Sequence, residues 1–203
     1  MKQTIVYIHG KGGSIQEADH YRSILQDYDV IGFDYQSDNP WDAKNEFNTY
    51  MNDLCKEKGK IILIANSIGA YFSMCSFTSD QIEKAFFISP VVDMEKLIEN
   101  MMMWSNVSED ELREKREIKT DFGETLSFDY LQYVKEHPIH WDVPTYILYG
   151  ENDNLTSFET ISSFSEKINA EVTVMKNGEH WFHTDEQMDF LDSWIFLITS
   201  DNH

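Results

Sequence analysis

The 203-residue sequence has no run of apolar residues near the roughly 20 that a membrane-crossing helix needs. It is also poor in basic charge. Sixteen Lys and Arg stand against 36 Asp and Glu, for a formal net charge of -20. That balance supplies no basic stripe for nucleic acid and repels anionic membranes and polyanionic substrates; its simplest consequence is solubility. Cysteine is scarce. Cys55 and Cys75 fall on predicted helices without metal or redox spacing, as expected of thiols in a reducing cytoplasm. The N-terminus shows no signal-peptide pattern, because the short apolar run from Thr4 stops at His9-Gly10. The Asn-x-Ser/Thr strings at Asn106 and Asn154 therefore carry little meaning. There is no internal repeat or low-complexity segment.

What is present is the composition of a folded globule, 41% apolar and 14% aromatic, at a length that suits one domain. Thr4–Ile8 reads as a strand, followed by the loop His9-Gly10-Lys11-Gly12-Gly13-Ser14. Residues 17–28 place Tyr21, Ile24, Leu25 and Tyr28 on one helical face. Residues 30–35 form a strand, 39–41 a loop, and 42–58 a helix striped by Ala43, Phe47, Tyr50, Met51 and Leu54 and stopped by Gly59. Strands follow at 61–66 and 85–88, then at 145–149 and 171–175, with helices at 158–168 and 185–197. Six strands alternating with helices specify an α/β fold: a three-layer αβα sandwich whose mainly parallel six-stranded sheet carries its sites at the carboxyl ends of the strands. The alternation breaks at residues 91–143. This insert holds Met101-Met102-Met103-Trp104, a charged helix-like piece at 109–119 and a second at 128–136. An insert this long has a role of its own, and we expect a helical lid, its methionines packed in the core beneath it.

The chain is organised around residues 60–70, KIILIANSIGA. The apolar run Ile61-Ile62-Leu63-Ile64 has the β-branched content of a buried strand. It leads through Ala65-Asn66-Ser67-Ile68-Gly69 directly into an apolar helix. A strand that turns at once into a helix leaves no room beside the turning residue, so positions 65 and 69 must be small. The turn lifts the Ser67 hydroxyl above the sheet and aims the helix's first N–H groups at the same spot.

Serine is a poor nucleophile without a base, and the base needs an orienting acid. The strand at 145–149 runs into Gly150-Glu151-Asn152-Asp153, and the last strand into Lys176-Asn177-Gly178-Glu179-His180. Both loops lie at strand carboxyl ends, as Ser67 does. Asp153 is the candidate acid, with Glu151 and Asp142 as alternatives; it could instead cap the helix starting near Ser157. His180 is the candidate base, with His183 as its rival. His183 sits just before Thr184-Asp185, a helix-cap pattern. The pairs His180/His183 and His137/His140 have a spacing that metal sites use, but no Cys or carboxylate cluster completes one. An oxyanion formed at Ser67 needs amide donors. The Ile68 N–H follows the nucleophile, and the Lys11 N–H stands in the glycine loop, where Gly10 permits close approach. That loop lacks the Gly-Lys-Ser/Thr ending of a phosphate loop, and His9 is better placed to brace it than to react.

Taken together, His9-Gly10 with Lys11, Ala65 to Gly69, Gly150 to Asp153, and Gly178 to His180 resemble the motifs of the small serine α/β-hydrolases, over nearly the whole chain. The likeness is to compact, carboxylesterase-like members that lack the first antiparallel strands of larger ones. Ala65 departs from the usual Gly, which the steric argument permits. A serine at the elbow separates this chain from haloalkane dehalogenases and epoxide hydrolases, which carry Asp there, and from dienelactone hydrolases, which carry Cys. The resemblance implies hydrolysis of a small-molecule acyl ester through an acyl-enzyme, without cofactor or metal. Its catalytic residues would be Ser67, Asp153 and His180, and its oxyanion donors Lys11 and Ile68. Trp104 and Phe122 could shape an acyl pocket. Thioester, lactone or amide cleavage would use the same groups, and a non-catalytic binding protein on the same fold is the reading of another class.

Overall fold

The computed structural model describes residues 2–200. In chain order its elements are β1 (Thr4–Ile8), α1 (Ala18–Ile24), β2 (Asp29–Gly32), α2 (Pro40–Lys58), β3 (Ile61–Asn66), α3 (Ile68–Ser76), β4 (Ile82–Ile88), α4 (Met94–Trp104), α5 (Glu109–Lys115), β5 (Glu117–Lys119), β6 (Thr125–Ser127), α6 (Phe128–Glu136), β7 (Thr145–Gly150), α7 (Phe158–Ile168), β8 (Glu171–Met175) and α8 (Asp185–Ser200). A short 3-10 turn at Ile15–Glu17 leads into α1.

The main sheet has six strands in the order β2-β1-β3-β4-β7-β8. Every pairing in it is parallel. Parallel strands are covered on both faces, so their side chains are apolar on both sides. The five residues of β1 and the first five of β3 are all buried. On one face Ile5, Tyr7, Ile62, Ile64, Phe86 and Ile88 pack with Tyr21 and Leu25 near α1 and with Leu191, Trp194 and Ile195 of α8. On the other, α3 lies so close to β1 that a Cβ on Gly69 would sit 3.0 Å from Ile8 Cγ2. There Phe47 of α2 meets Phe72 of α3 and Tyr35, edge to face.

Residue contacts divide the chain into two compact units: residues 1–92 with 141–203, and residues 93–140. The smaller unit has its own apolar centre, built from Ile98, Met102, Leu112, Leu126, Leu131 and Val134. Lys135 pairs with Glu109 at 2.8 Å, and the guanidinium groups of Arg113 and Arg116 lie over the Phe128 ring.

Several boundaries differ from the sequence reading. Helix α2 begins at Pro40, which was expected in a loop. Asn39 caps it by accepting from the Asp42 N–H, and proline suits the first helical position, where no N–H partner is needed. Helix α1 stops at Ile24, four residues early, with Leu25 outside helical geometry. The charged piece expected as one helix over 109–119 splits. Arg116 adopts φ 66°, and the chain turns into an antiparallel hairpin of β5 with β6. The insert is therefore not wholly helical. Of the methionines expected in the core, Met102 is buried, but Met103 is 68% exposed.

Candidate active site

The elbow at Ser67 has the geometry its sequence requires. Ser67 adopts φ 51° and ψ -118° between β3 and α3, a conformation that costs a non-glycine residue about 1–3 kcal/mol. Hydrogen bonds hold it there. The Ser67 N–H donates to Ile88 O at 3.0 Å, and its carbonyl accepts from Ala70 N and Val91 N, both at 3.2 Å. The need for a small residue at 69 has a specific source: a Cβ there would lie 2.4 Å from His9 O. Helix α3 thus packs directly on the backbone leaving β1.

The candidate acid and base come from the loops after β7 and β8. The two loops interlock through backbone bonds, with Glu151 N donating to Met175 O and Asn152 N to Gly178 O. A Cβ on Gly150 would fall 2.5 Å from Glu179 O, so only glycine permits this approach. Asp153 has a fully buried side chain. Its Oδ1 accepts from Leu155 N at 2.8 Å and Thr156 N at 3.0 Å. Its Oδ2 lies 2.7 Å from His180 Nδ1. A carboxylate only accepts, so Nδ1 carries the proton and Nε2 is left to accept. The Ser67 hydroxyl stands 2.8 Å from that Nε2.

The rival residues have other partners. Glu151 accepts from Asn177 N and Asp142 from the Ser79 hydroxyl. His183 Nδ1 donates to Trp181 O at 2.6 Å, and its ring stacks on Trp181. Helix α7 is capped by Ser157 rather than Asp153. His137 donates to Tyr133 O and stacks on that ring. Among the described residues, no three or more His, Cys, Asp or Glu are gathered as a metal ion would need. Trp104 and Phe122 meet edge to face within the 93–140 unit, each about half exposed.

The loop after β1 reaches Ser67. A Cβ on Gly10 would lie 3.2 Å from Ser67 Cβ, and Lys11 is the next residue along that loop. Ile68 opens α3, so helix geometry gives its N–H no partner one turn back. His9 braces the loop. It donates from Nδ1 to Gly10 O at 2.8 Å, stacks on Tyr35, and its carbonyl accepts from the Tyr35 hydroxyl. The sequence reading does not single out Tyr7 or Glu17, whose side chains hydrogen-bond each other, with Glu17 also accepting from the Ser14 N–H of this loop. The Ser14-x-x-Glu17 spacing of a capping box was a visible signal for Glu17. Nothing local marks Tyr7, a buried strand tyrosine.

A six-stranded parallel sheet, a strained serine between strand and helix, and an acid and a histidine on the last two strand ends define the α/β-hydrolase fold. Solved structures agree. The mouse alpha/beta hydrolase domain-containing protein 10 superposes with a TM-score of 0.75 at 14% identity, covering 100% of this chain and 92% of its own. The esterase Est1E from Butyrivibrio proteoclasticus gives 0.73 at 15% identity, over 98% and 89%. A putative hydrolase from Agrobacterium vitis gives 0.71 at 15%, over 97% and 87%. No protein-family model matches the sequence, and no curated protein does.

Proposed function

We propose that this protein is a serine hydrolase that cleaves carboxylic esters of small or medium neutral acyl groups through an acyl-enzyme. The observation that carries this reading is the hydrogen-bonded row Asp153–His180–Ser67, with distances of 2.7 and 2.8 Å. Ser67 attacks the ester carbonyl as His180 Nε2 takes its proton. Asp153 stabilises the resulting imidazolium and holds its tautomer. The tetrahedral oxyanion accepts hydrogen bonds from the Ile68 and Lys11 N–H groups, each worth roughly 3 kcal/mol in such sites. His180 then protonates the departing alcohol. Water, deprotonated by the same imidazole, releases the acid and restores Ser67. All parts come from the chain itself, with no cofactor. The same row serves thioesters, lactones and amides, and an acyl panel ranks them.

Among similar folds, Est1E has been solved with ferulic acid bound, which supports an ester substrate here by analogy. The free cysteines suit a reducing compartment, and a cytoplasmic site of action belongs to the same proposal. Among the described residues no helix is long and apolar enough to cross a membrane.

A fluorophosphonate probe tests the nucleophile. Mass spectrometry should find the adduct on Ser67, and Ser67→Ala should not label. An adduct on another serine, or p-nitrophenyl ester turnover that survives both Ser67→Ala and His180→Ala, overturns the reading.

A further inference from the structure

A row of hydrogen bonds ties the glycine loop to the core. Asn66 precedes Ser67, and its side chain lies close enough to the Tyr7 hydroxyl to oppose the rise in its pKa. Tyr7 stands on β1 and is only 2% exposed. Its hydroxyl donates in turn to Glu17 Oε2. The other oxygen, Oε1, accepts from the Ser14 N–H at 3.0 Å. Gly13 lies against the same carboxylate, where a Cβ would come within 2.6 Å of Oε1, and its own N–H closes a turn onto Gly10 O at 3.1 Å. The donor sense is consistent: phenol to carboxylate, and backbone N–H to carboxylate. Burial first, then Tyr21 and Glu17, holds the Tyr7 phenol far above its ordinary pKa, so it remains a protonated donor at any working pH.

We infer that Tyr7 and Glu17 are positioning residues for the oxyanion hole, fixing the loop that carries Lys11 against the elbow that carries Ile68. The two donors belong to segments almost sixty residues apart, and an oxyanion must be met by both at once. Preorganised donors stabilise charge only if they need not move when it forms, and misplacement by about 1 Å costs on the order of 100-fold in rate. On the strand side the loop is held by His9, through Tyr35. On its far side it is held by Glu17. The inference rests on the serine-hydrolase reading for its kinetic consequence, but not for the row itself.

Tyr7→Phe and Glu17→Gln in the full chain test it. Phe keeps the buried ring and removes the hydroxyl that donates to Glu17. Gln has a single acceptor oxygen, so it gives up either the Tyr7 hydroxyl or the Ser14 N–H. Each should lower kcat on a p-nitrophenyl ester by roughly 10- to 100-fold and leave KM within about twofold. Affinity for a trifluoromethyl ketone, which forms an oxyanion on Ser67, should fall by the same factor as kcat. The double variant should be no worse than the poorer single one, because both cut one row. Amide exchange at residues 11–14 should quicken in both. Near-wild-type kcat and exchange in a folded variant overturns the inference, as do losses confined to KM or single losses that multiply. Should Tyr7→Phe not fold, Glu17→Gln at its half-buried position still decides. A wild-type protein that fails to label at Ser67 removes the hydrolase reading instead, and amide exchange then judges the row alone.

Discussion

Ser67 holds a backbone conformation that only glycine adopts without strain, and the strain is local to the proposed nucleophile. Replacing Ser67 by Gly should therefore abolish turnover and yet melt above Ser67→Ala, by about 1 kcal/mol or more. A thermal melt of the two variants checks this; equal melting points would mean the elbow stores no strain. Asp153→Asn keeps an oxygen for Leu155 and Thr156 but turns an NH2 toward His180. The imidazole must then carry its proton on Nε2, where it cannot accept from Ser67, and kcat should fall about 10⁴-fold. Away from the site, burial raises the Cys75 thiol to about 11. A raised pKa means less thiolate at a given pH. Alkylation of Cys75 by iodoacetamide should be slow at pH 8 and still rising above pH 10, as peptide mapping of the native protein would show.

Among the elements, those that place Ser67, Asp153 and His180 are legible because local signals agree there. Strand β3 announces itself by β-branched residues. The helix after it is fixed by the small residues flanking Ser67, and α6, α7 and β8 have the bounds that their apolar spacing predicts. Helix α2 runs two residues longer than its apolar stripe predicts, because Pro40 opens the first turn rather than marking a loop. The β5–β6 hairpin was missed because its three-residue strands continue the charged spacing of α5, and only the positive φ of Arg116 ends that helix. The β7 and β8 loops make one prediction of their own. Gly150→Ala forces a Cβ into the Gly178–Glu179 backbone, so it should destabilise the protein by about 1–3 kcal/mol and displace both Asp153 and His180. Denaturant melts and kcat should fall together; loss of neither would mean the loops are not locked.

For the molecule as a whole, the net charge of -20 sets a long-range field of one sign. A substrate with a carboxylate on its acyl group should show a higher KM than its neutral analogue at low salt. The gap should narrow as ionic strength rises from about 0.01 to about 0.15 M, where the screening length shrinks from roughly 30 to 8 Å. Paired assays of a neutral ester and its half-acid across that range check this, and a salt-independent ratio would show that the field does not reach the bound acyl group.

Sequence alone determined the six-stranded alternation and the serine turn. It also marked the loops that bear Asp153 and His180, because strand, turn and helix preferences act within a few residues and leave local patterns. It favoured Asp153 over Glu151 and His180 over His183 from loop and cap patterns. What it could not give is their distances, which depend on how the loops after β7 and β8 interlock, a contact between segments 26 residues apart. Nor did it reveal that Tyr7, Glu17 and the Ser14 N–H form one row, since each looks ordinary in its own segment. Hydrogen bonds between distant positions have no period in the chain, and only parallel strand packing brings those groups together.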